Sequence, residues 1–86
     1  MDLEDTIAGM ISDDYKERFI AEYQQIAIRC NKLDNLLNQH KSGELDITLN
    51  CSIDLLTSQL CAMKEYKELL EIRADIEDIN IGEVYL

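Results

Sequence analysis

The sequence predicts an all-α protein, an antiparallel two-helix hairpin assembled as a homo-oligomer. Three observations predict it. Pro is absent and Gly occurs only three times in 86 residues, too few chain-reversing residues for many short strands. Apolar residues recur at spacings of three and four through two long stretches. The second stretch carries apolar residues on more faces than one partner helix covers, so a lone hairpin leaves them in water. Closed, symmetric self-assembly is the simplest cover for them. The chain 1–86 reads as one domain, short enough that folding buries only about 60% of its unfolded surface.

The elements follow in order. Residues 2–10 form a short helix or lie flexible. Ser12 reads as an N-cap, with Asp13 and Asp14 behind it in a first turn that favours carboxylates. From there Phe19, Tyr23, Ile26, Cys30, Leu33 and Leu37 make a heptad-like seam, widened by Ile20, Ala27 and Leu36. Gly43 stops the helix, which spans about 13–42 and is near 45 Å long at 1.5 Å per residue. Residues 43–51 form an extended connection, with Leu45, Ile47 and Leu49 on one side. Asn50 or Ser52 caps a second helix over about 52–79. Its seam is Leu56, Leu60, Met63, Leu70 and Ala74, interrupted by Lys67. Ile53, Leu69, Ile72, Ile76 and Ile79 lie beside the seam or on a second face. The apolar tail 80–86 docks on another subunit or frays.

Charge narrows the function. Eighteen acidic residues against eight basic ones leave a net charge of −10, which repels nucleic-acid polymers and anionic membranes. Lys16, Arg18, Lys64, Lys67 and Arg73 each have an acidic neighbour three or four residues away, the spacing that pairs side chains on a helix. Arg29 and Lys32 have none. Arg29 is flanked by Gln25 and Leu33, and Lys32 by Ile28 and Leu36. Two unneutralised cations one turn apart are either solvated surface charges or an anion site. Arg73 has Leu69, Leu70 and Ile76 around it. Its stem lies on apolar surface, and its guanidinium forms a salt bridge to Glu77, pairs with a carboxylate of another subunit, or clamps a phosphate. Tyr15 sits in the first turn of a capped helix, where amides attract anions and a ring can pack or stack on a nucleobase.

Catalytic and metal chemistry have no support. The single His, His40, lacks zinc-spaced partners and reads as a helix-end residue. No Gly-rich phosphate loop is present, and no Ser or Cys has an oriented base. The protein is therefore not expected to be an enzyme or to hold a metal or cofactor. Three Cys with no pairing motif, and with Cys30 and Cys61 near apolar stripes, read as reduced thiols. No apolar run spans a bilayer and the N-terminus is too polar for a signal peptide, so a cytoplasmic location is expected.

Three segments carry a resemblance: Asp14-Tyr-Lys-Glu-Arg-Phe-Ile-Ala-Glu-Tyr, Arg29-Cys-Asn-Lys-Leu and Leu55-Leu-Thr-Ser-Gln-Leu-Cys-Ala-Met-Lys-Glu-Tyr. They resemble small phage proteins of a helical hairpin group named after a crAss-like phage gene product. The pattern covers about residues 13–78, with Ser52 where that group typically has Pro. It is similar to the hairpin domain of phage anti-CBASS sponges and some anti-Thoeris sponges. The resemblance implies a homo-oligomer, hexameric or otherwise closed, in the cytoplasm of an infected bacterium. It implies capture, without cleavage, of a cyclic oligonucleotide or cyclic ADP-ribose-type immune signal. It also implies a ligand site using Tyr15, Arg73 and a cation that aligns with Lys32 or Arg29. An interface between hairpins can supply Arg29 or Lys32 from one chain and Tyr15 from another. The competing expectation is an acidic helical inhibitor or adaptor that binds a host defence protein directly.

Overall fold

A computed structural model describes residues 1–43 and 49–81 of the chain. The described residues contain helix and no strand. The order is a 3-10 turn at Leu3–Thr6, then α1 (Ile7–Met10), α2 (Tyr15–Ser42) and α3 (Ile53–Ile76). Helices α2 and α3 pack along one another as an antiparallel hairpin within principal extents of 42 × 24 × 20 Å. The 3-10 turn and α1 lie on α2.

The ends of α2 and α3 follow local chemistry. Helix α2 is capped by Asp14, whose side chain accepts from the amide of Lys16 at 2.9 Å. Ser12, the expected cap, sits two residues too early. Its hydroxyl accepts from the amide of Asp14 at 3.0 Å and donates to Glu17 at 2.5 Å, so Ser12 braces the cap. Asp is as good a cap as Ser, and here its carboxylate also meets the positive helix end. Gly43 ends α2 with φ 77°, a left-handed conformation that costs glycine nothing. Ser52 caps α3, accepting from the amide of Leu55 at 3.1 Å.

Helix α3 stops at Ile76, three residues short of the expected end. Asp78 takes φ 57°, and the amide of Ile79 donates to the carbonyl of Ala74 at 2.8 Å. This is a Schellman stop with Asp in the place glycine usually takes. It turns Ile79 inward, where it is buried. The expected extended connection falls mostly on 44–48, outside the described residues, and so do tail residues 82–86. Of the tail that is described, Ile81 packs against the core.

The core is the predicted seam. Phe19, Tyr23, Ile26, Cys30 and Leu37 of α2 are buried against Leu60, Leu70 and Ala74 of α3, with Leu33, Leu56 and Met63 half-buried beside them. Lys67 interrupts the seam without disrupting it, because its ammonium lies 6.0 Å from the centre of the Tyr23 ring. Cys61, by contrast, is exposed. It falls on the flank of α3, outside the stripe that faces α2.

The N-terminal segment covers a second face of α2. Thr6 is 1% exposed, donates to the carbonyl of Leu3 at 2.7 Å and accepts from Gln25 at 3.1 Å. Gly9 lies so close to α2 that a Cβ there would stand 2.8 Å from the Cβ of Ala21. This docking buries Ala21, a residue outside the α2–α3 seam.

The outer face of α3 has no intramolecular partner among the described residues. Leu55, Leu69 and Ile76 are 59%, 54% and 78% exposed, and Ala62 is exposed between them. These four residues recur every seven positions, with exposed Ile72 alongside. One basic–acidic pair comes within 4.0 Å among the described residues, Arg73 with Glu77. The other expected helical pairs stay apart. Asp13 precedes the helix, Arg18 turns to the carbonyl of Ser12 at 2.7 Å, and exposed lysines gain little by giving up water.

Candidate functional site

The antiparallel register places the first turn of α2 beside the last turn of α3. Tyr15 and Arg73, 58 residues apart in sequence, meet there. The guanidinium Nη2 of Arg73 donates to the Tyr15 hydroxyl at 2.9 Å, and that hydroxyl donates to Glu77 at 2.6 Å. Arg73 Nε closes the triangle by donating to Glu77 at 3.2 Å. Beneath them lies Phe19, one turn after Tyr15 and 2% exposed. Its ring centre is 5.0 Å from the guanidinium carbon, a cation–π contact that fixes the plane of the fork. The rings of Tyr15 and Phe19 are 6.3 Å apart and tilted by 58°.

The site is open and electrically mixed. The Arg73 side chain is 49% exposed and that of Glu77 32%. The Tyr15 hydroxyl and the Arg73 fork hold the Glu77 carboxyl below its ordinary range, the hydroxyl being the larger cause. The same bond, from the other side, raises the Tyr15 phenol, because ionising it would set a second negative charge against Glu77. Arg73 is raised too, chiefly by its bond to Glu77. Two of the five guanidinium N–H groups are used in this triangle. The others have no partner among the described residues. An exposed, flat, cationic fork beside a phenol and over an apolar ring suits a phosphate carried next to an aromatic base.

Arg29 and Lys32 lie elsewhere and apart. Arg29 borders a small cavity of about 120 Å³ with Glu22, Gln25, Ile26 and Tyr66. The Tyr66 hydroxyl donates to Glu22 on the surface. Lys32 borders a different cavity of about 210 Å³ with Met1, Ile28, Asn31 and Asn35. Both cations are exposed, and neither has a carboxylate within 4.0 Å among the described residues. One turn of α2 separates them in sequence, yet the docked N-terminal segment gives Lys32 separate surroundings. Within one chain the structure thus joins Tyr15 with Arg73 and joins neither to Arg29 or Lys32.

Two members of the site were not assigned to it from sequence. Glu77 was legible as an i,i+4 partner of Arg73, but not as the acceptor of Tyr15. Phe19 read as core alone, although its ring is also the platform under Arg73. The hairpin register makes both additions, and no local spacing encodes it.

A family model described as Sequestin matches residues 13–76. The chain belongs to the Sequestin family. The Sequestin match contains Tyr15, Phe19, Arg29, Lys32 and Arg73, and therefore both sides of the cluster except Glu77. No curated protein and no solved structure matches the chain. Among the described residues no group of three His, Cys, Asp or Glu side chains is placed to hold a metal ion, and no helix is long and apolar enough to cross a membrane.

Proposed function

We propose that this Sequestin is a phage anti-defence protein that sequesters a cyclic nucleotide immune signal without cleaving it. The carrying observation is the meeting of Tyr15 and Arg73 over Phe19. It sets a phosphate-binding fork and an aromatic face side by side at an open surface. The family's name describes sequestration, and sequestration requires affinity rather than chemistry. The ligand is a cyclic oligonucleotide or a cyclic ADP-ribose-type molecule in the cytoplasm of an infected bacterium.

One hairpin is too thin to enclose such a ligand, so the protein works as a homo-oligomer. The exposed heptad stripe Leu55, Ala62, Leu69 and Ile76 supports that reading. An exposed apolar strip along one helix face, widened by Ile72, is a surface that a second copy can cover. Arg29 or Lys32 of one chain then adds charge to the Tyr15–Arg73 cluster of another.

The test is calorimetry of the purified protein against cyclic di- and trinucleotides and cyclic ADP-ribose isomers. The expected result is micromolar or tighter binding of at least one of them, lost in Arg73→Ala. Absence of binding to every member, or equal binding by Arg73→Ala, overturns the proposal. The net charge of −10 favours one competing reading, an acidic adaptor that binds a defence protein directly. That reading predicts inhibition that survives Arg73→Ala and fails when surface carboxylates of α3 are neutralised.

A further inference from the structure

We infer that Glu77 is a built-in competitor for Arg73, an internal carboxylate that an incoming phosphate must displace. The inference rests on the reading of Tyr15 and Arg73 as a ligand site. Glu77 occupies the two donors best placed for an anion. One oxygen accepts from the Tyr15 hydroxyl at 2.6 Å and the other from Arg73 Nε at 3.2 Å. With Glu77 in place the cluster carries no net charge. With its side chain swung away the cluster carries one positive charge, and hydroxyl and guanidinium donate side by side.

The backbone allows that swing. Glu77 is the first residue beyond α3, and its amide is bonded to the carbonyl of Arg73 at 2.8 Å. The helix stop is held by main-chain bonds and by buried Ile79, none of which involves the Glu77 side chain. Rotation of that side chain therefore leaves the fold intact. It gives up two charge-assisted bonds, which an incoming anion must replace. A single carboxylate offers no more than the one already there. Pyrophosphate offers more anionic oxygens; a phosphodiester offers the same two as a carboxylate, but its attached base adds a ring that can lie against exposed Tyr15. The device thus selects phosphate-bearing ligands against the carboxylates abundant in a cell.

The experiment compares the wild type with Glu77→Gln, using inorganic pyrophosphate and cyclic di-AMP as probes in calorimetry, with circular dichroism to confirm equal helix content. Gln keeps the size and one acceptor but removes the charge. The expected result is binding tighter by about tenfold in Glu77→Gln, the effect of removing one charged hydrogen-bonding competitor. Binding by Glu77→Gln alone supports the inference equally. If the wild type binds a probe and Glu77→Gln binds it equally or more weakly, Glu77 positions Arg73 and the inference is overturned while the site stands. If neither protein binds either probe, nor any member of the cyclic nucleotide panel, the site reading fails and the competitor role fails with it.

Discussion

Replacing Tyr23 by Phe tests how the two long helices are locked together. Tyr23 is 8% exposed, and its hydroxyl donates to Glu71 of α3 at 2.6 Å. Phe keeps the ring in the core and removes only that bond. Hydrogen bonds to charged groups contribute about 1.5–3 kcal/mol, and Glu71 is exposed enough to turn to water instead, so the loss at neutral pH is about 1–2 kcal/mol. For a domain of this length each kcal/mol moves the melting temperature by roughly 4–8 °C. Alkali adds a second, independent readout. Burial, and then the bond to Glu71, push the Tyr23 phenol from 10.0 up to about 12. A group whose folded pKa is raised stabilises the fold fully below its unfolded value and loses that contribution as pH climbs through the folded value. The wild type therefore loses stability between about pH 10 and pH 12, by at most about 2.7 kcal/mol at 1.36 kcal/mol per unit before screening. Urea unfolding across that range, followed by helix ellipticity, measures both effects. Tyr23→Phe is expected to be less stable at pH 7 and to show a shallower alkaline decline. Equal midpoints at pH 7 together with parallel alkaline slopes would refute the interhelical bond.

Other predictions concern packing and assembly. Gly9→Ala forces a Cβ to 2.8 Å from that of Ala21, an overpacking cost of about 1–3 kcal/mol offset by roughly 1 kcal/mol of helix propensity. A lower urea midpoint is expected, and an unchanged one refutes the close docking of α1. Asp78→Gly relieves a left-handed residue and is expected to raise stability by about 0.5–1 kcal/mol, read as a higher melting temperature; a fall contradicts the Schellman stop. The pair Leu69→Glu with Ile76→Glu sets charges on the outer stripe of α3, 54% and 78% exposed in the single chain. Light scattering is expected to show an oligomer for the wild type and a monomer for the double variant, with helix content unchanged. A monomeric wild type contradicts the assembly.

Much of the fold was legible because its determinants are local or periodic. The α2 seam from Phe19 to Leu37 reports its own buried face, and Gly43 and Ser52 carry the chemistry of a helix end. The misplaced features depend on competition between good candidates. Ser12 and Asp14 both cap well, and the choice of Asp14 rests on a hydroxyl that also reaches Glu17. The end of α3 comes earlier than the apolar pattern predicts because Asp78, not glycine, adopts the left-handed turn. The site was half legible. Arg73 and Tyr15 were marked by residue type and position, but their contact depends on the register between α2 and α3. Arg29 and Lys32 have no acidic neighbour at helical spacing, and both lack a carboxylate contact among the described residues. That they face different cavities is not legible locally, because the docked N-terminal segment that divides them is held by Thr6 and Gly9, residues with no charge pattern.

The proposed capture of a phosphate-bearing ring rests on Arg73, framed by Tyr15 and Phe19. Calorimetric titration of the wild type and Arg73→Ala with the cyclic nucleotide panel, at matched oligomeric state, tests it most directly. The expected result is stoichiometric binding of at least one member by the wild type, no binding by the variant, and recovery of the ligand unchanged after denaturation. Equal affinity in the two proteins, or recovery of a cleaved ligand, would contradict it.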